Sequence, residues 1–254
     1  MSEHGTPPLS PGAILGPPWE EFPRQLTFRF DDDHTDPRRE TLRMYVVEAQ
    51  PDVFPDGAHT WAGKTHGFLV GQQIGDELTN KSLLSDGNRF HDAAHIALMT
   101  GLGWSPVMRD LLHIRHRSQP KIDETYDGPR AVIDEEGLIS YVGRPLTRGT
   151  LQDGRPIDPA AASLLLDSAA ETIGAYMPES VRPTPAEIEK ALKVGYGLMK
   201  LLQRSIGMID ISGPEINSGY IHADLDRKEV RYSAQSIGDA KVAAPVEPVV
   251  PMIL

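Results

Sequence analysis

One stretch near the C-terminus narrows the choice of fold more than any other. Residues 184–207 read TPAEIEKALKVGYGLMKLLQRSIG. Thr184, Pro185 and Glu187 make a capping box, with the proline where a helix has no use for a backbone donor. Behind that cap, Ile188, Leu192, Leu198, Met199 and Leu202 recur at helical spacing as one apolar stripe. A helix of this kind is stable in water only when its stripe is covered. The chain must therefore supply other elements with apolar faces.

Several segments carry the same punctuation. Asp36 and Pro37 open PRRETLRMYVVEA, read as a helix, and FLVGQQIGDELTN is a second candidate, weakened by Gly71 and Gly75. In NRFHDAAHIALMTGLGW, Phe90, Ala94, Ala97 and Leu98 follow helical spacing, with Gly101 as the expected stop. Ser105 and Pro106 open SPVMRDLLHIRHR, GPRAVIDEEGLISYVG follows, and Asp158 with Pro159 opens DPAAASLLLDSAAETIGAYM. The period changes only late: Ile221, Ala223 and Leu225 alternate, Asp226 to Lys228 read as a turn, and Val230 and Tyr232 follow, which predicts a β-hairpin. The expected architecture is mainly α: a helical bundle with a small C-terminal β-hairpin, spanning 24–233. Residues 1–23, rich in Pro and Gly, are expected to form a flexible N-terminal arm. Residues 234–254 are expected to form an extended tail whose apolar end, VVPMIL, lies along a neighbouring surface.

Composition removes several classes of function. The chain has 254 residues, no cysteine and a formal net charge of −11. Thiolate metal sites, cysteine nucleophiles and disulfides are excluded, and a broad basic surface for polymeric nucleic acid is not expected. No run approaches the roughly 20 apolar residues that span a bilayer, and no basic region precedes an apolar run at the N-terminus. The expectation is a cytoplasmic protein without a membrane partner. Phosphate-binding G-x-x-x-x-G-K-[ST], dinucleotide G-x-G-x-x-G and hydrolase G-x-S-x-G motifs are all missing.

The chemistry is expected where polar groups interrupt apolar stripes. Ala131, Val132, Leu138, Ile139 and Val142 define a buried stripe, and Glu135 falls inside it with Glu136 at its edge. An unpaired carboxylate there costs several kcal/mol, so Glu135 must be neutral, paired with a cation or bound to a metal. His91 and His95 lie one helical turn apart, and Asp92 and His95 are three apart, so all three can converge. Imidazole plus carboxylate at this spacing suits a divalent metal; a satisfied core histidine with Asp92 as a cap is the plainer alternative. Between the two segments lies HIRHRSQPKIDETYDGPR, with His113, Arg115, His116, Arg117, Lys121 and Arg130 able to neutralise phosphate, or simply to solvate a helix end. Its DETYD part places Glu124 and Asp127 three apart, a spacing that on a helix allows oxygen ligation of Mg²⁺.

These residues carry a resemblance. GNRFHDAAHIALMTGLGWSPVMRDLLHIRHRSQPKIDETYDGPRAVIDEEGLISYV is similar to the MazG C-terminal-type branch of the all-α nucleoside triphosphate pyrophosphohydrolases, from about Asp76 to Val142. The later AEIEKALKVGYGLMKLLQ and GYIHADLDRKEVRY resemble that branch's closing helix and hairpin. The resemblance implies a helical bundle, a homodimer, and cleavage of the α–β phosphoanhydride of a nucleotide to a monophosphate and pyrophosphate. It implies Mg²⁺, with Mn²⁺ as a substitute, held by Glu135 and Glu136 on one helix and by Asp92 on a facing helix, with Glu124 and Asp127 as further candidates. His95 is then a ligand or a group that orients Asp92, and His91, Arg117, Lys121 and Arg130 contact the phosphates. One departure stands out: the E-E-x-x-E pattern has Ile139 at its third acidic position. Two rivals follow. HDAAH also resembles the motif of HD-type phosphohydrolases, which would need His59 or His66 to join His91, Asp92 and a later Asp. A non-catalytic nucleotide-binding protein would retain the fold without the third acid.

Overall fold

The computed structural model describes residues 20–34, 41–50, 59–61, 64–79, 87–151, 154–177, 182–207, 216–236 and 250–253. The expected N-terminal arm up to residue 19, the Asp36–Pro37 opening and residues 237–249 of the tail lie outside them.

In the N-terminal segment QLTFRFDDD, Leu26, Phe28, Phe30 and Asp32 are buried on one face, as period two requires of a sheet with that face covered, and Thr27 is buried on the other. It forms β1 (Gln25–Asp33), which pairs on one side with β2 (Thr41–Gln50) and on the other with β6 (Ile216–Asp224). With β5 (Gln73–Thr79), β7 (Glu229–Ser236) and β8 (Val250–Ile253) they make an antiparallel sheet of order β5-β2-β1-β6-β7-β8. Two short strands, β3 (His59–Trp61) and β4 (Lys64–His66), pair separately.

This overturns the expected all-α bundle. The hairpin β6–β7 exists, with its turn at residues 225–228, but it is the middle of a large sheet and not an appendage. Where they are described, the segments read as the first two helices hold the strands β2 and β5 and no helix. In β2, Leu42, Tyr45, Val46 and Ala49 fit helical spacing on paper. The ladder shows why: Thr27 pairs with Glu48 and Phe28 with Val46, so the register slips at Val47. That bulge inserts one residue, and the buried set becomes Leu42, Met44, Val46 and Ala49. A broken period of two imitates a helix.

The other helices form where their caps stand. Ser105 caps α2 (Pro106–Leu111) by accepting from the Met108 amide, Asp158 caps α6 (Pro159–Gly174), and the Thr184–Glu187 box starts α7 (Pro185–Ser205). α1 (Asp92–Leu102) runs past Gly101 and ends at Gly103, whose φ of 66° is left-handed backbone that favours glycine. Every residue of α1 is buried. Ala93, Ile96, Ala97 and Met99 pack toward the sheet with Val194, Leu198 and Leu202 of α7. Ala94, Leu98 and Leu102 join a second core with Ala131, Ile139, Leu166, Ile173 and Leu192. That second core lies on α4 (Pro129–Gly137), a π-helical turn (Leu138–Gly143), α6 and α7. α1 is thus the buried hub between two cores. At its crossing with α7, a Cβ on Gly195 would meet the Ala94 Cα at 2.8 Å. Gly195→Ala should force these helices apart at about 1–3 kcal/mol, read from the urea midpoint.

The start of α1 is tied to the sheet by charge. Arg89, in the 3-10 turn Asn88–Phe90, donates to buried Asp32 of β1 at 2.6 Å. Two shorter helices, α3 (Pro120–Tyr126) and α5 (Arg144–Arg148), complete the described elements. Among the described residues no helix is long and apolar enough to cross a membrane.

Candidate active site

The start of α1 meets α4 at five polar residues, His91, Asp92, His95, Glu135 and Glu136. His91 sits at the entry to the helix, and its Nδ1–H donates to the Asn88 carbonyl at 2.9 Å. Its Nε2 then faces the Asp92 Oδ1 at 3.2 Å. One turn on, the buried His95 donates from Nδ1 to the Glu135 Oε1 at 2.8 Å. Its Nε2 has no hydrogen-bond partner, although the Glu136 Oε1 lies 3.3 Å away, off the hydrogen-bond direction. Ligand atoms of His91, Asp92 and His95 all fall within 4.8 Å of one another.

Glu135 is fully buried and held on three sides. Besides His95 it accepts from the Ser105 Oγ at 2.6 Å and the Val107 amide at 2.8 Å. One carboxylate therefore clamps α1 and the first turn of α2 onto α4. Burial pulls the His95 pKa down, but the carboxylates of Glu135 and Glu136 outweigh it and hold it up at about 10. The Glu136 carboxyl is held below its usual range by His95, which offsets partial desolvation.

Glu136 opens on a cleft of about 390 Å³, shared with His91 and Asn88 and lined by Arg144, Arg148 and Lys200. The π-helical turn shapes this wall. It places Ser140 at the cleft, and its Ile139 carbonyl accepts from both the Arg144 amide and the Tyr196 hydroxyl, the latter at 2.8 Å. Arg144, Arg148 and Lys200 are exposed cations gathered at one opening of an acidic chain. Sequence reading missed them. Their signal was the i, i+4 spacing of Arg144 and Arg148, two turns beyond Glu136 on the same helical run.

The other expected site residues lie elsewhere. Asp127 is buried and accepts from the His116 amide at 2.7 Å and its Nδ1–H at 2.8 Å, with the Arg109 Nε at 3.6 Å. Burial pushes its carboxyl up, but His116 and Arg109 outweigh that and leave it below the usual range. Glu124 and Lys121 are exposed on α3, Arg130 is exposed at the start of α4, and Arg117 is half-buried; none of them lines the cleft. Arg115, from the same basic segment, is paired with Asp123 at 2.8 Å. His59 and His66 pair in register across β3 and β4, and His66 is not among the converging ligand atoms.

The profile described as the MazG C-terminal domain matches residues 62–236, more than half of the chain. The chain belongs to the MazG C-terminal domain family. The matched span begins after β1 and β2 and covers every residue of the α1–α4 site and the cleft. No curated protein and no solved structure matches the chain. In this MazG C-terminal domain the Mg²⁺ site implied by the resemblance fits poorly. Hard Mg²⁺ prefers oxygen in octahedral array. Here Glu135 is engaged by three protein donors, position 139 is a buried isoleucine, and the converging cluster offers one carboxylate and two imidazoles.

Proposed function

We propose that this protein is a nucleotide pyrophosphohydrolase that cleaves the α–β phosphoanhydride of a nucleoside triphosphate, giving a monophosphate and pyrophosphate. The observation that carries this is the cleft, which gathers Arg144, Arg148 and Lys200 beside His91 and Glu136. Its volume suits a nucleotide. Guanidinium and ammonium groups hold phosphate oxygens by charge-assisted hydrogen bonds and stabilise the charge that grows on the departing pyrophosphate. Glu136, ionised at neutral pH, orients a water and accepts its proton. The water oxygen forms a bond to phosphorus, the bridging P–O bond breaks, and pyrophosphate leaves with the electron pair. Glu135 positions His95 and holds the helices together.

The test is a panel of nucleoside triphosphates with Mg²⁺ or Mn²⁺ and products resolved. Monophosphate with pyrophosphate supports the reading; release of inorganic phosphate alone contradicts it. Ile139 at the third acidic position favours one second reading, a nucleotide-binding protein that does not turn over. Tight nucleotide binding without product in the same panel would select it. A homodimer belongs to the proposal as well: Ile133, Tyr141 and Leu164 are large apolar side chains exposed on α4, the π-helical turn and α6. Sedimentation at micromolar protein decides it, and a monomer alone would contradict it.

A further inference from the structure

The converging ligand atoms are two imidazole nitrogens and one carboxylate, on one helical turn at the mouth of a cleft. Each imidazole is oriented by its far nitrogen. His91 Nδ1–H is spent on the Asn88 carbonyl at 2.9 Å and His95 Nδ1–H on the Glu135 carboxylate at 2.8 Å. Both Nε2 atoms are thereby turned toward Asp92 and Glu136, at 3.2 and 3.3 Å respectively. A far nitrogen held by a carbonyl or carboxylate is the arrangement that fixes the tautomer and aim of a metal-binding histidine. His95 is wholly buried, yet among the described residues its Nε2 finds no partner in hydrogen-bond geometry, the Glu136 carboxylate at 3.3 Å lying off its direction. A buried polar atom left over in this way points to a missing partner.

We propose that His91 Nε2, Asp92 and His95 Nε2 hold one transition-metal ion of the Mn²⁺, Fe²⁺, Co²⁺ or Zn²⁺ class, in preference to Mg²⁺. Imidazole suits these ions, whereas Mg²⁺ dehydrates reluctantly and takes oxygen. Ligand bonds of about 2.1 Å span at most about 4.2 Å across an ion. Ligand atoms within 4.8 Å of one another must draw in by about 0.6 Å for a pair on opposite sides of the ion and by about 1.4 Å for tetrahedral neighbours, a movement that side-chain rotations on one helical turn can supply. Three protein ligands leave positions for solvent, beside Glu136 and open to the cleft. Glu135 is then a positioning residue that acts through His95. This assignment concerns the ion alone and stands whether or not nucleotides are hydrolysed.

The test is a Co²⁺ titration of the full chain after chelator treatment, read by visible d–d absorption without nucleotide. One equivalent should saturate, Zn²⁺ should displace it, and millimolar Mg²⁺ should not. His91→Gln and Asp92→Asn, both at the edge of the cluster, should weaken Co²⁺ binding by more than about 100-fold, since groups that merely orient a ligand already change affinity by about 10–100-fold. Circular dichroism of both variants should match the parent. A Co²⁺ spectrum no stronger than the free aqua ion would overturn the assignment. So would unchanged affinity in both variants, loss of affinity in Glu124→Gln instead, or displacement by Mg²⁺ at equal concentration. Metal binding with no nucleotide turnover would sink the proposed activity and leave the ion site standing.

Discussion

Glu135 and Glu136 are neighbours on α4, and the helix gives them opposite surroundings. Glu135 points between α1 and α2, fully buried, and accepts from a side chain or amide of each. Glu136 turns to the cleft with its side chain 45% exposed, and the His95 Nε2 approaches it at 3.3 Å. One step along a helix turns a side chain by about 100°, and here that step separates an acid that holds helices from an acid free to act. A polar residue in an apolar stripe thus need not touch substrate; it can equally be the clamp that sets the stripe's neighbours.

The largest effect should come from breaking the clamp. Glu135→Ala leaves a buried His95, the Ser105 hydroxyl and the Val107 amide without their acceptor, and should destabilise the fold by about 3–5 kcal/mol in urea unfolding. A loss below about 1 kcal/mol would mean that Glu135 is not the clamp. Next is Asp127, the comparable buried carboxylate outside the cleft. Asp127→Asn should cost about 1.5–3 kcal/mol at neutral pH, because its hydrogen bonds to His116 are charge-assisted. Its folded pKa lies below the unfolded value, so this stability is present above the unfolded pKa and is lost as pH falls through the folded one. The stability gap between parent and variant should therefore close progressively below about pH 5. A gap constant with pH would contradict the pairing. Smaller still, Arg148→Ala or Lys200→Ala should weaken nucleoside triphosphate binding by about tenfold each by calorimetry, one charged contact being worth about 1.5 kcal/mol, with unfolding unchanged.

The two halves of the fold were unequally legible. Helices opened by Ser105–Pro106, Asp158–Pro159 and Thr184–Pro185 could be read because capping is local chemistry, written within four residues. The sheet could not be read from β2, because the bulge at Val47 displaced Ala49 onto the buried face and hid the alternation. Yet β1 carried Leu26, Phe28 and Phe30 at period two, a pattern that would have marked a strand. The acidic and imidazole residues of the site were visible as interruptions of apolar stripes. Which of them face a cleft was not, because that depends on where α2 and α7 arrive. Ser105 was legible as a cap, but not as the donor to Glu135 thirty residues away. Arg144, Arg148 and Lys200 look like ordinary surface cations until α5 and α7 meet.

The central claim is the division of labour between the two adjacent acids, and one variant tests it directly. Glu136→Gln keeps shape and removes the charge that faces the cleft. Pyrophosphate release from the nucleoside triphosphate that the parent turns over should fall by about 100-fold or more, as loss of a general base does. Its unfolding midpoint should shift by no more than about 0.5 kcal/mol, as for a surface substitution. Full turnover in this variant, or collapse of its stability with turnover per folded molecule unchanged, would contradict the account.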